Sequence, residues 1–136
     1  MFIIIDTNNK HTLFIRKVQK MTDLKEYYEL FNRLVNGIAA QFGENCEVVL
    51  HDYKPTYEKS IVAIKNGHVT GRKVGDGGTN LGLEVLKGTD KEGDKYNYLT
   101  QTKNGKMLRS TSIYIRDSEG NAIGSICINY DITDFM

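Results

Sequence analysis

Cysteine and proline are scarce here: 136 residues hold two cysteines and one proline. Cys46 and Cys127 are too few for a disulfide framework, and their spacing fits no metal-ligand pattern. Both lie in apolar, strand-like runs, where cysteine behaves as a small buried hydrophobe. A reduced, cytoplasmic protein is the expectation. An excess of one charge is also missing. The 18 basic and 17 acidic residues leave a formal net charge of +1. With no Lys/Arg cluster in either half, direct DNA contact is not expected from this chain. Long apolar runs are absent as well. Phe2-Ile3-Ile4-Ile5 is cut by Asp6, short of the roughly 7–15 apolar residues of a signal-peptide core. No segment approaches the ~18–20 needed to span a bilayer, so no membrane contact is expected.

Catalytic patterns are missing too. There is no nucleophile elbow, zinc-ligand cluster or closely spaced carboxylate pair, and His11, His51 and His68 are dispersed. A non-enzymatic domain follows, with no catalytic residues, no metal and no cofactor.

What is present reads as one domain with one core. Leu24, Tyr27, Tyr28, Phe31, Leu34, Val35, Ile38 and Phe42 fall at helical spacing, predicting a helix over about 23–42. Thr22 or Asp23 suits its N-cap and Gly43 its C-terminal stop. Residues 46–52 and 60–66 read as strands, joined by a polar loop with Pro55. Thr79–Lys87 reads as a short helix ending at Gly88. Three strands follow, at about 95–103, 106–116 and 122–130, with turns at Asn104-Gly105 and Ser118–Asn121 that make an antiparallel meander. The last two carry apolar residues at both parities, so both sheet faces are expected to be covered in part. Residues 1–20 stand apart as an N-terminal extension, either a hairpin of Phe2–Asp6 with His11–Arg16 or sequence ahead of a native start at Met21.

The most informative stretch is Ser60 to Asp76. A β-branched apolar run ends at Asn66-Gly67, a strong hairpin signal, and a glycine-punctuated polar segment with Arg72 and Asp76 follows. Before it, Cys46-Glu47-Val48-Val49-Leu50-His51-Asp52 forms a strand ending on two polar side chains. Together these segments resemble the sensor module of YheO-like PAS regulators, with the pattern EVVLHD … SIVAI-NGH-TGRKVGD. The resemblance runs from about Tyr28 to Asp131. It implies an α+β, PAS-like fold over residues 21–136: a five-stranded antiparallel sheet with an N-terminal helix and short helices on one face.

The resemblance also implies a sensory domain of a bacterial transcriptional regulator whose helix-turn-helix part is absent from this chain. Its partners would be a second copy of itself and an unknown small molecule. The D-arginine utilisation repressor-like members point to an amino-acid-like ligand. A ligand-free dimerisation module is the alternative, with a small enzyme using His51 or Cys127 behind it.

The candidate ligand-binding residues are His51, Asp52, Arg72, Ser110, Thr111, Cys127 and Asn129. His51 and Asp52 end a strand near where such a fold opens its cavity, though a histidine satisfied by its neighbours and a strand-end cap fit equally well. Arg72 offers a planar fork of donors for a carboxylate; an internal pair with Asp76 or Asp52 is as plausible. The quartet Arg109-Ser110-Thr111-Ser112 is polar within an apolar strand, where buried hydroxyls need partners. Cys127 and Asn129 share one face of the last strand. The cavity is expected between the sheet and segment 68–88.

Overall fold

The computed structural model describes residues 2–5, 13–16, 22–77 and 93–135. The expected short helix at Thr79–Lys87 lies outside these. Strands β1 (Phe2–Ile5) and β2 (Leu13–Arg16) pair as an antiparallel hairpin, Phe2 opposite Arg16 and Ile5 opposite Leu13.

The helix starts as expected but in two stages. Asp23 caps a 3-10 turn, Leu24–Tyr27, by accepting from the Lys25 backbone N–H at 3.0 Å. Helix α1 (Tyr28–Phe42) continues from it and stops at Gly43, whose φ of 86° suits a residue without Cβ. Leu24, Val35 and Ala39 are buried, with Tyr28, Phe31 and Ile38 packed beside them. Leu34 falls off this stripe and is 43% exposed.

Five strands form one sheet in the order β4-β3-β7-β6-β5, every pairing antiparallel. They are β3 (Cys46–Asp52), β4 (Ile61–Lys65), β5 (Lys95–Gln101), β6 (Met107–Arg116) and β7 (Ala122–Asp131). Each falls within a few residues of its expected place, because the two final hairpin turns set their own register. Gly105 and Gly120 take φ near +88° there.

Asn66-Gly67 does not make a hairpin. Asn66 adopts the left-handed conformation that such a turn needs, but the chain winds into a 3-10 turn, Gly67–Val69. The reason lies in the sheet: among the described residues β3 is the one strand paired with β4, and the chain returns to the outer edge of β4 as a loop, Gly75 and Asp76 bonding the Ile61 backbone. The Asn66 amide is used otherwise, donating to the Gly43 and Cys46 carbonyls.

Strand alternation divides the sheet into two unlike faces. On the helix face, Cys46, Val48 and Leu50 of β3 and Ile126 of β7 pack against α1 with Ile115 of β6. Burial of each such side chain is worth ~1.5–3 kcal/mol, which holds α1 on this face. The expectation that both faces are covered holds here at β3 and β7. On β6 and β5, Ile113 and Leu99 stay 37% and 61% exposed. The opposite face carries Glu47, His51, Ser110, Ser112, Ser125 and Asn129, all buried. It is covered by Tyr53 and Tyr57 of the loop after β3, by the 3-10 turn Gly67–Val69, and by Thr70 and Arg72 that follow it.

Candidate functional site

The face opposite α1 is where the chemistry collects, because β3, β7 and β6 place polar residues at matching positions. Glu47 lies opposite Asn129, and Asn129 opposite Ser110. The Asn129 amide donates to Glu47 Oε1 at 2.9 Å, and its carbonyl oxygen accepts from the Ser110 hydroxyl at 2.8 Å. Ser110 also meets Thr100 Oγ1 of β5 at 3.0 Å. A polar ribbon therefore crosses four strands at right angles to them.

Glu47, in a wholly buried position, is the anchor of that ribbon. Its Oε2 accepts from the Thr70 backbone N–H at 3.1 Å and hydroxyl at 2.5 Å. Arg72 Nη2 reaches Oε1 at 3.2 Å, and Arg72 Nε donates to Thr70 Oγ1 at 3.1 Å. Four donors on one buried carboxylate meet the requirement that buried charge be paired and hydrogen-bonded. Gly67 makes this turn possible, since a Cβ there would lie 2.5 Å from the Arg72 carbonyl oxygen.

A second ribbon runs parallel to the first. Tyr53 Oη sits 2.8 Å from Ser125 Oγ, and Cys127 Sγ lies 3.8 Å from Ser125 and 3.6 Å from Ser112. Ser112 in turn meets Tyr98 Oη of β5 at 2.7 Å. Burial pushes the Cys127 thiol and the Tyr53 and Tyr98 phenols above their ordinary ranges, so all three stay protonated near neutrality. The thiol form of Cys127 is a poor nucleophile.

Between β5, β6 and the Thr70–Arg72 turn opens a cleft of about 710 Å³. Arg72, Tyr98, Ser112, Cys127 and Asn129 line it. A second cleft, about 610 Å³, lies on the helix face beside Phe42, Ile128, Tyr130 and Phe135. Its walls are largely apolar, and Phe42 and Phe135 are exposed. Convergent polar groups mark the first as the binding candidate.

Of the seven expected site residues, Arg72, Cys127 and Asn129 line the polar cleft and Ser110 stands just behind Asn129. His51 shares their face but is 2% exposed, with Nδ1 2.7 Å from Ser60 Oγ. Burial, and then the charge of Arg72, lower its pKa from the ordinary 6.5 to about 4. It is a neutral packing histidine. Asp52 and Thr111 fall on the helix face. Asp52 accepts from the Tyr28 hydroxyl and the Lys54 backbone N–H, tying α1 to the end of β3. Thr111 accepts from Asn97 N at a bulge in β5, and lines the apolar cleft. The expected pairing of Arg72 with Asp76 or Asp52 does not form: Arg72 takes Glu47, and Asp76 accepts from Lys73 N at 2.9 Å.

Glu47, Thr70 and Tyr98 complete the site without having been singled out in the sequence, and Ser112, noted there within the polar quartet, joins them. Parity with Ser110 was the available signal for Ser112, since residues two apart on one strand share a face. Among the described residues, no three His, Cys, Asp or Glu side chains gather to hold a metal ion. No described helix is long and apolar enough to cross a membrane.

A family model described as "YheO-like PAS domain" matches residues 22–136. An uncharacterized protein of Haemophilus influenzae is 36% identical over 102 residues, 75% of this chain and 46% of that protein. The protein YheO of Escherichia coli K12 is 37% identical over 113 residues, 81% of this chain and 45% of YheO. The transcriptional regulator DauR of Pseudomonas aeruginosa is 33% identical over 108 residues, 79% of this chain and 48% of DauR. The chain thus spans a little under half the length of these curated relatives. Among solved structures, the PAS domain of a Colwellia psychrerythraea protein superposes with a TM-score of 0.46 at 17% identity, covering 74% of this chain and 98% of that one.

Proposed function

The chain belongs to the YheO-like PAS domain family, and on that premise we propose that it is the small-molecule-sensing domain of a bacterial transcriptional regulator. In this reading it works in the cytoplasm as a homodimer, and DNA is held by another part of the regulator. The observation that carries the reading is the polar cleft: a sheet face whose buried polar groups converge on an opening large enough for a metabolite.

A molecule in this cleft would touch the Thr70–Arg72 turn on one side and Tyr98 of β5 on the other. It would favour whichever arrangement of turn and edge strand fits it, shifting the population of that arrangement. Tyr28 and Asp52 join the sheet to α1, a route by which such a shift would reach the dimer.

A second reading, a dimerisation module without a ligand, draws on the apolar side chains left open on the helix side. Leu30, Leu34, Leu99 and Ile113 are 51%, 43%, 61% and 37% exposed, and rows of this kind mark protein interfaces. Native mass spectrometry of freshly purified protein separates the two. A sensor carries a small molecule that gentle activation removes, or takes one up from a metabolite mixture. A ligand-free mass that no mixture changes would leave only the dimerisation module.

A further inference from the structure

The cleft has a charge character that narrows what it takes. Among the described residues, Arg72 and Lys103 line it and no Asp or Glu does. The nearby acid, Glu47, sits behind Arg72, its two oxygens already meeting four donors. A third cation, Lys106, bridges the His68 and Val69 carbonyls at 3.2 Å each, fixing the turn that carries Thr70 and Arg72.

The guanidinium is used along one edge. Its Nε and Nη2 groups face Thr70 and Glu47. The end edge, Nη1 with the second N–H of Nη2, has no partner among the described residues. That edge is a planar pair of donors with the spacing of a carboxylate's two oxygens. Because Glu47 and Thr70 hold the other edge, little rotamer freedom remains to be lost on binding. Tyr98 and Ser112, hydrogen-bonded to each other at 2.7 Å, use one of their two hydroxyl protons in that bond; the other, on a long 3.6 Å contact from Ser112 to Cys127 Sγ, can turn to an oxygen in the cleft.

We propose that the ligand of this cleft is a small organic carboxylate carrying a hydroxyl or keto oxygen, its carboxylate on the end edge of Arg72 and its second oxygen on Tyr98 and Ser112. The proposal rests on the sensing reading above. It separates such acids from 2-amino acids of the same length, whose ammonium group would face two cations and, among the described lining residues, no carboxylate.

The test is thermal-shift and calorimetric titration of the 136-residue chain with lactate, pyruvate and 2-oxoglutarate, their neutral amides, and the matching 2-amino acids. At least one acid is expected to raise the melting temperature, with its amide and amino acid at least tenfold weaker. Arg72→Ala removes the fork. The double change Glu47→Gln with Arg72→Gln removes both charges without leaving either one buried alone. Both should weaken the acid at least tenfold, and rising salt should weaken it further. Amides or amino acids binding as well as the acids, or an affinity indifferent to both Arg72 variants, would overturn the carboxylate assignment and leave sensing intact. A co-purified molecule without a carboxylate would do the same. If no probe binds and nothing co-purifies, the sensing reading falls with it.

Discussion

Asn129 and Glu47, directly opposite each other on β7 and β3, are joined by a 2.9 Å hydrogen bond from amide to carboxylate. Thr70 and Arg72 approach the same carboxylate from the covering turn, so the wall of the cleft and the centre of the sheet share one acid. Its loss should therefore be felt more than that of any single donor. Glu47→Ala leaves the Asn129 amide and the Arg72 guanidinium without their acceptor and is expected to cost about 3 kcal/mol. Arg72→Ala leaves three donors on Glu47 but takes away its cation, and because the guanidinium is 21% exposed only part of the cost of breaking a buried pair, about 2 kcal/mol, is expected. Urea unfolding compares the two directly. Equal losses would mean that the ion pair alone, and not the set of donors, holds this region.

His51 gives the fold an acid-sensitive point. Its folded pKa, about 4, lies below the ordinary 6.5 because it is buried and faces Arg72. As pH falls the unfolded chain takes up the proton first. Stability is then full above about pH 6.5 and is lost between 6.5 and 4, on the order of 2 kcal/mol gone by pH 5. Denaturant curves at pH 7.5 and 5.0 should show the loss, and His51→Gln should flatten it. An unchanged slope in that variant would place the acid sensitivity elsewhere.

Two glycines should respond to alanine in opposite directions. Gly124 lies beside β3, where a Cβ would come within 2.4 Å of the His51 carbonyl oxygen and 2.7 Å of Leu24 Cδ2. The backbone contact cannot yield cheaply, so Gly124→Ala is expected to cost about 1–3 kcal/mol. Gly37 is exposed within α1 with nothing within 4 Å of its Cβ position. Gly37→Ala should gain about 0.5–1 kcal/mol from helix propensity alone. Melting temperatures moving the same way would contradict the close approach at Gly124.

The proposed dimer is testable at side chains that the isolated domain does not need. Leu34 and Ile113 are exposed, so Leu34→Asp or Ile113→Asp should leave the monomer's stability nearly unchanged. Each is expected to weaken self-association at least tenfold, or ~1.4 kcal/mol. Sedimentation velocity over a concentration series reads this out. A wild-type chain that stays monomeric at tens of micromolar would remove the dimer from the reading.

The sequence by itself determined the local elements. Apolar, β-branched runs bounded by turns marked the strands, 3.6-residue spacing marked α1, and Asn104-Gly105 and Ser118–Asn121 set the meander, because these signals act within a few residues of where they are written. Even at Asn66 the left-handed backbone was legible. What followed Asn66 was not, since the return of the chain to the outer edge of β4 as a loop at Gly75 and Asp76 is decided by the sheet and not by the turn. The site was decided in the same way. Arg109-Ser110-Thr111-Ser112 reads as one polar quartet, yet the pleat sends Ser110 and Ser112 to the cleft face and Arg109 and Thr111 to the helix face. Glu47 sits in a run of β-type residues with nothing local to say that its carboxylate is buried. Only tertiary structure brings Asn129, 82 residues away, and Arg72, 25 residues away, onto it. A buried charge becomes tolerable when its partners arrive from several elements at once, and no pattern along one strand records that arrival.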